Sequence, residues 1–262
     1  MKTFITSRLI PIGALAMALT VPAHALSLDL TAGGAGVVNG GYFTTTDNSS
    51  TGTGVIQSFV RVQDPNGPAE GYNADARPVM PDVNTSPTFT HDILLSEIPI
   101  VVNPDGASPG SYYEFLLDIN QTNNSPLLSL DAIEIYTRSG PLAVANTYAA
   151  LSGGATLRYS LDVGPDGNSE LLLNYSLNSG SGSGDMFAYI PTAIFAGALG
   201  SDYLYFYSLF GTKGGDYAEN DGFEEWAVRT STPRDLPDAG STILLLGSAL
   251  AVFAAIQRRR QA

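Results

Sequence analysis

Histidine and cysteine, the side chains that most often carry nucleophilic, acid–base and metal chemistry, are nearly missing from this chain. It holds no Cys and two His, His24 and His91. Without thiols there is no disulfide, no Cys nucleophile and no thiolate metal site. His24 falls in a leader expected to be removed on export. A Ser-His-Asp arrangement would therefore have to use His91, and a multi-histidine zinc site within one chain is ruled out. Asp92 is no help from the next position, because neighbours on a strand point to opposite faces. His91 reads as a strand-end surface residue.

Carboxylates could still act in pairs, as acid and nucleophile on a glycosidic bond. The candidates are Glu224-Glu225, Glu114 with Asp118, and Asp131 with Glu134. With 25 acidic residues in the chain, such neighbours arise by chance. Oxygen ligands for a structural calcium cluster at Asp64-x-Asn66-Gly67 and Asp166-Gly167-Asn168-x-Glu170, but neither has the ligand series of a twelve-residue calcium loop, and an Asx turn explains both. No other cofactor is implied. Tyr203, Tyr205 and Tyr207 alternate with Leu204 and Phe206, so a strand would put the three tyrosines on one face. Such a row could stack sugar rings; packing in a sandwich core is the commoner use, and Trp226, the only tryptophan, reads as core as well.

The elements that would carry these residues are short and β-like. Runs of β-branched and aromatic residues, split by Gly, Pro, Asn and Asp, recur at 54–62, 89–95, 99–102, 112–119, 133–137, 155–163, 169–177, 185–191, 203–210 and 223–230. No long 3.6-residue period interrupts them. This pattern predicts an all-β fold, an antiparallel β-sandwich or jelly-roll-like single domain over residues 26–235. TLRYSLDV, Gly164-Pro165-Asp166-Gly167-Asn168 and SELLLNYSL read as a hairpin, with Leu157, Tyr159 and Leu161 on its buried face. The low-complexity stretches 44–54 and 178–184 read as surface loops, and no internal repeat is present.

Both ends carry targeting features. Met1–Ala25 has a basic start, an apolar run and an Ala23-His24-Ala25 cleavage site, which predicts a secretory signal peptide and a mature start at Leu26. The missing Cys excludes a lipoprotein anchor. At the other end, Ile243–Ile256 has no charge and is followed by Gln257 and Arg258-Arg259-Arg260. The stretch 242–257 reads as one transmembrane helix, its basic tail 258–262 held in the cytoplasm by the positive-inside bias. Pro237 and Gly240 leave an extended segment before it. Between Asp29 and Asp238 lie all 25 acids and only seven bases, a net charge of −18 against −13 for the whole chain. A phosphate-rich partner would be repelled, so nucleic acid is excluded.

Leu236-Pro237-Asp238-Ala239-Gly240-Ser241-Thr242, the apolar span and Arg258–Arg260 together resemble the PEP-CTERM sorting signal in its Val-Pro-Asp-x-Gly-Ser-Thr variant. Leu236, Asp238 and Ala239 depart from the usual Val-Pro-Glu-Pro. The resemblance implies an exosortase partner: a membrane-embedded cysteine protease or transpeptidase of Gram-negative bacteria that make exopolysaccharide. GTGVIQSFVR at 52–61, Glu70-Gly71-Tyr72-Asn73, EFLLDIN at 114–120, LSLDAIEIY at 128–136, SDYLYFYSLFG at 201–211 and GFEEW at 222–226 look like a group of PEP-CTERM proteins without an assigned activity. The expectation is a non-enzymatic protein of the cell surface or extracellular matrix, held in the inner membrane as a precursor and processed or anchored by an exosortase. It would be structural or adhesive and associated with extracellular polysaccharide. A carbohydrate-binding module and a carboxylate-based glycoside hydrolase are the alternatives.

Overall fold

Strand-forming runs with large residues at successive positions need cover on both faces, and the fold supplies it in layers. The computed structural model describes residues 26–46, 56–106, 109–162, 168–180 and 184–229. Its strands are β1 (Ser27–Asp29), β2 (Ala35–Val38), β3 (Gly41–Thr45), β4 (Ile56–Val62), β5 (Ala69–Tyr72), β6 (Ile93–Leu94), β7 (Ile100–Val102), β8 (Ser111–Asp118), β9 (Leu127–Arg138), β10 (Thr156–Ser160), β11 (Glu170–Asn174), β12 (Met186–Pro191), β13 (Tyr203–Phe210) and β14 (Glu224–Arg229). Among the described residues there is one short α-helix, α1 (Tyr148–Gly154), capped by the Thr147 hydroxyl, which accepts the Ala150 N–H.

The first sheet runs β1-β11-β9-β13-β5, with β10 paired to β9 and β6 to β13. The second runs β2-β3-β12-β8-β14-β4, with β7 paired to β8. These pairings are antiparallel except β1 with β11. The sheets meet through aromatic side chains. Phe206 of the first lies 4.3 Å from Trp226, 5.0 Å from Phe115 and 6.0 Å from Phe59, ring centre to ring centre, and all four are fully buried. The arrangement is the all-β sandwich expected from the pattern.

A third layer lies on the first sheet. The connection from β9 to β10 carries α1 and buries Leu142, Ala145 and Leu151. Leu142 donates its N–H to the Tyr205 hydroxyl (2.8 Å), and the Tyr72 hydroxyl donates to the Thr147 carbonyl (3.1 Å). This cover is why both faces of β13 are buried.

The expected hairpin is not formed. β10 pairs with Glu134–Thr137 of β9, and β11 pairs with Leu127–Leu130 of the same strand, both antiparallel. The two segments are successive parts of one strand along β9, interrupted by residues 161–169. Ser169 donates its N–H to Asp162 Oδ1 (3.1 Å) and closes the interruption. A long partner already held by β13 outcompetes pairing between the two arms. Tyr159 and Leu161 are buried as expected, whereas Leu157 is 49% exposed, because a register shift between Leu157 and Tyr159 breaks the alternation.

The leader 1–25, the sorting motif 236–242, the apolar span and the basic tail lie outside the described residues. Among those described, no helix is long and apolar enough to cross a membrane.

Candidate functional site

The carboxylates proposed as chemical pairs are instead held apart, each by its own partners. Glu224 opens β14 and is fully buried. It accepts the Asn120 N–H (3.0 Å) and a Gln121 Nε2–H (2.7 Å). Asp185, just before β12, accepts the Ile119 N–H (2.8 Å). These N–H groups belong to the chain as it leaves β8, so the two acids close a strand end that no neighbouring strand satisfies. Burial, the largest influence, raises both groups well above the ordinary carboxylate range; the accepted hydrogen bonds act against it. Glu225 faces the other side of β14 and pairs with Arg61 (2.8 Å). The two neighbours therefore address different environments.

Glu114 and Asp118 share a face of β8, but four residues along a strand separate them by roughly 13 Å. That exceeds the roughly 5–9.5 Å span of a glycosidase pair. Glu114 is buried and forms a two-pronged pair with Arg229, through Nε and Nη2. Asp131 sits at a register shift of β9, where it accepts from the Ser129 hydroxyl (2.9 Å) and the Thr212 N–H (2.8 Å). Glu134 instead accepts the hydroxyls of Tyr136 and Tyr148. A polar cavity of about 310 Å³ opens beside Asp131, Asp162, Glu170 and Lys213, and Lys213 Nζ lies 2.6 Å from Glu170 Oε1.

The tyrosine row lies mostly in the core, the commoner of the two uses read from the sequence. Tyr205 is fully buried and Tyr207 is 6% exposed, under the β9–β10 connection; only Tyr203 is half-buried. The Tyr207 hydroxyl donates to Glu70 Oε2, and the ring packs 4.9 Å from Tyr148. Trp226 is core, as its sequence context suggested.

His91 is half-buried and lies two residues before β6. It lines a cavity of about 230 Å³ with Gln57, Ser58, Thr88 and Phe89. Its Nδ1 is buried without a hydrogen bond, and Asp92 is turned away to accept the Asp75 N–H (3.1 Å). At the first candidate calcium turn, Asp64 Oδ1 accepts the Asn66 N–H (3.0 Å) and the Asp64 carbonyl accepts the Gly67 N–H (3.1 Å), an Asx turn closed on itself. Of the second, Asp166 and Gly167 lie outside the described residues. Among the described residues no group of three or more acid or histidine side chains is placed to hold a metal ion.

Nearby, Glu219 is 5% exposed and faces a cavity of about 440 Å³ between the 65–68 turn and Gly211. Burial first, then the Asp64 and Asp221 carboxylates, push its pKa up to about 7. The Asp64 N–H draws it down slightly, yet neither carboxylate oxygen completes a hydrogen bond of ordinary geometry.

One constellation was not anticipated. On the outer face of the second sheet, Tyr42 of β3 stacks on Tyr189 of β12 (5.9 Å, 26°), and Tyr189 adjoins Phe187 two positions away (5.7 Å, 31°). Arg229 lies over the Phe187 ring (4.9 Å) while holding Glu114. Tyr42 and Phe187 keep part of their rings exposed. The aromatic pair flanking Ala188 is the one local trace of this ledge in the sequence; Tyr42, Glu114 and Arg229 join it only through strand pairing.

Comparison with known proteins bears on the tail. The VPDSG-CTERM motif matches residues 237–260, from Pro237 through Arg260, leaving Leu236 just outside. Ala239 stands at the serine of the motif's name, one small residue for another. No curated protein and no solved structure matches the chain. The chain thus carries a PEP-CTERM-like exosortase sorting signal of the VPDSG-CTERM type, the mark of an exported precursor processed by an exosortase-type enzyme.

Proposed function

We propose that this is a non-enzymatic component of the cell surface or extracellular matrix, a β-sandwich delivered by its tail and associated with extracellular polysaccharide. The observation that carries the delivery is the match over residues 237–260, which joins a short polar motif, an apolar run and a basic end. The body supports a structural or adhesive role. Of its candidate acids, Glu224 closes a strand end and Glu114 and Glu225 form ion pairs. A net charge of −18 between Asp29 and Asp238 keeps such a protein soluble and disperses its copies.

The tail segment would enter the inner membrane with Arg258–Arg260 on the cytoplasmic side, and Pro237-Asp238 would face the processing enzyme outside. Replacing Arg258–Arg260 with Ala, or deleting residues 236–242, leaves full-length precursor in the membrane fraction. Intact-mass measurement of the protein from host cells checks this. Processing of both variants at the wild-type rate would remove the proposal.

A further inference from the structure

The geometry points to the outer face of the second sheet as a binding ledge for an uncharged polysaccharide chain, with Tyr42 and Phe187 as stacking surfaces, the buried Tyr189 as the support between them, and Arg229 as hydrogen-bond donor. The inference rests on the reading of the body as a matrix-associated protein and gives that association a place on the molecule.

Three rings follow one another across β3 and β12 at centre spacings of 5.9 and 5.7 Å, with small angles between successive planes. Tyr189 is buried between its neighbours and holds them in place, while Tyr42 and Phe187 on either side are partly uncovered and fixed by strand register, so the two present apolar ring surface at a set spacing. Sugar rings offer the matching surface, an axial C–H face edged by hydroxyls. The donors for those hydroxyls are beside the strip. Arg229 commits Nε and Nη2 to Glu114 and leaves Nη1 unused by that pair, and its side chain is 43% exposed. Glu114 is in turn buried and fixed by that pair, so the guanidinium is held in one orientation over Phe187.

Charge selects the occupant. Glu114 and Arg229 cancel, so the ledge carries no net charge, while the body around it is strongly acidic. An anionic glycan or a second copy of this chain would meet repulsion at physiological ionic strength; a neutral polymer meets none. The covered tyrosines of β13 offer no comparable strip, because the β9–β10 connection lies over Tyr205 and Tyr207.

Affinity electrophoresis of the full-length chain in detergent tests the assignment. The gels contain xylan, mixed-linkage glucan, galactomannan or mannan, with alginate as the anionic comparison. We expect retardation by at least one neutral glycan, at least tenfold weaker binding for Phe187→Ala and Tyr42→Ala, binding close to wild type for Tyr42→Phe, and no loss for Tyr203→Ala. Melting temperatures of the half-exposed variants should stay near wild type, and Phe187→Leu serves if Phe187→Ala does not fold. No retardation by any neutral glycan, retardation by alginate alone, or unchanged binding in the Tyr42→Ala/Phe187→Ala double variant would each overturn the assignment. Tail processing, read by mass on the same variants, is independent of the ledge, so failure here leaves the delivery reading standing.

Discussion

At the scale of single residues the unusual feature is the direction in which carboxyls are pushed. Burial raises Asp82, Asp92, Asp185, Glu219, Glu224 and Glu225, while Asp29 is lowered by its hydrogen bonds to Thr31. A carboxyl whose folded pKa lies above its unfolded value binds its proton more tightly when folded. Its contribution to stability is complete below the unfolded pKa and is lost as pH rises through the folded one. For Glu219 that window runs from the ordinary value of 4.5 to about 7. The melting temperature should therefore fall between pH 5 and pH 8. Glu219→Gln, which copies the neutral acid, should stabilise the protein at pH 8 by an amount on the order of 2 kcal/mol, seen as a higher melting temperature, and flatten the slope. Thermal scans at the two pH values check this. A melting temperature that climbs with pH, or an equal slope in wild type and Glu219→Gln, would show that the carboxyl is already ionised at no cost.

At the scale of elements, several strands with a long hydrophobic run were legible, whereas β2, β3, β5 and the first half of β9 were not among the runs read. β13 occupies 203–210 as read from the alternation of Tyr with Leu and Phe, and β8, β12 and β14 fall within a residue or so of their predicted bounds. β1 was not legible: it has three residues, lies at an edge, pairs in parallel and shows no buried position. The interrupted strand β10–β11 was misread because a turn sequence reports local reversal, whereas the partner is chosen by what else lies beside it. The ledge was illegible for a related reason. Tyr42, Glu114, Tyr189 and Arg229 come from four strands far apart in the chain, and only sheet order makes them neighbours. Close packing between elements was equally hidden. Gly71 of β5 lies under Val83 and Val62, and a Cβ there would come within 2.1 Å of Val83 Cγ2. Gly71→Ala should destabilise the protein by about 1–3 kcal/mol, read as a lower urea midpoint with unchanged slope. A midpoint equal to wild type would mean that Val83 moves aside freely.

For the whole molecule, the question is whether two sheets and a covering connection behave as one unit. The buried side chains form one continuous cluster. It runs from Leu30 and Phe43 at one margin through Phe59, Phe115, Phe206 and Trp226 to Leu142 and Leu151 beneath the connection. Phe206 is central to it: its ring meets side chains from β4, β8 and β14, while its strand β13 holds β9, β5 and β6. A sheet that lost its partner would expose the whole inner face of both, so partial unfolding has no inexpensive boundary along which to occur. The body should accordingly unfold in a single calorimetric transition, with van't Hoff and calorimetric enthalpies equal. Phe206→Ala should destabilise the body by about 3–5 kcal/mol, lowering the transition temperature without splitting the transition, since the cavity it leaves borders both sheets. Two resolved transitions in the wild type, or a Phe206→Ala profile in which one half melts first, would show that the sheets hold themselves together separately and that the aromatic contacts join two domains rather than make one.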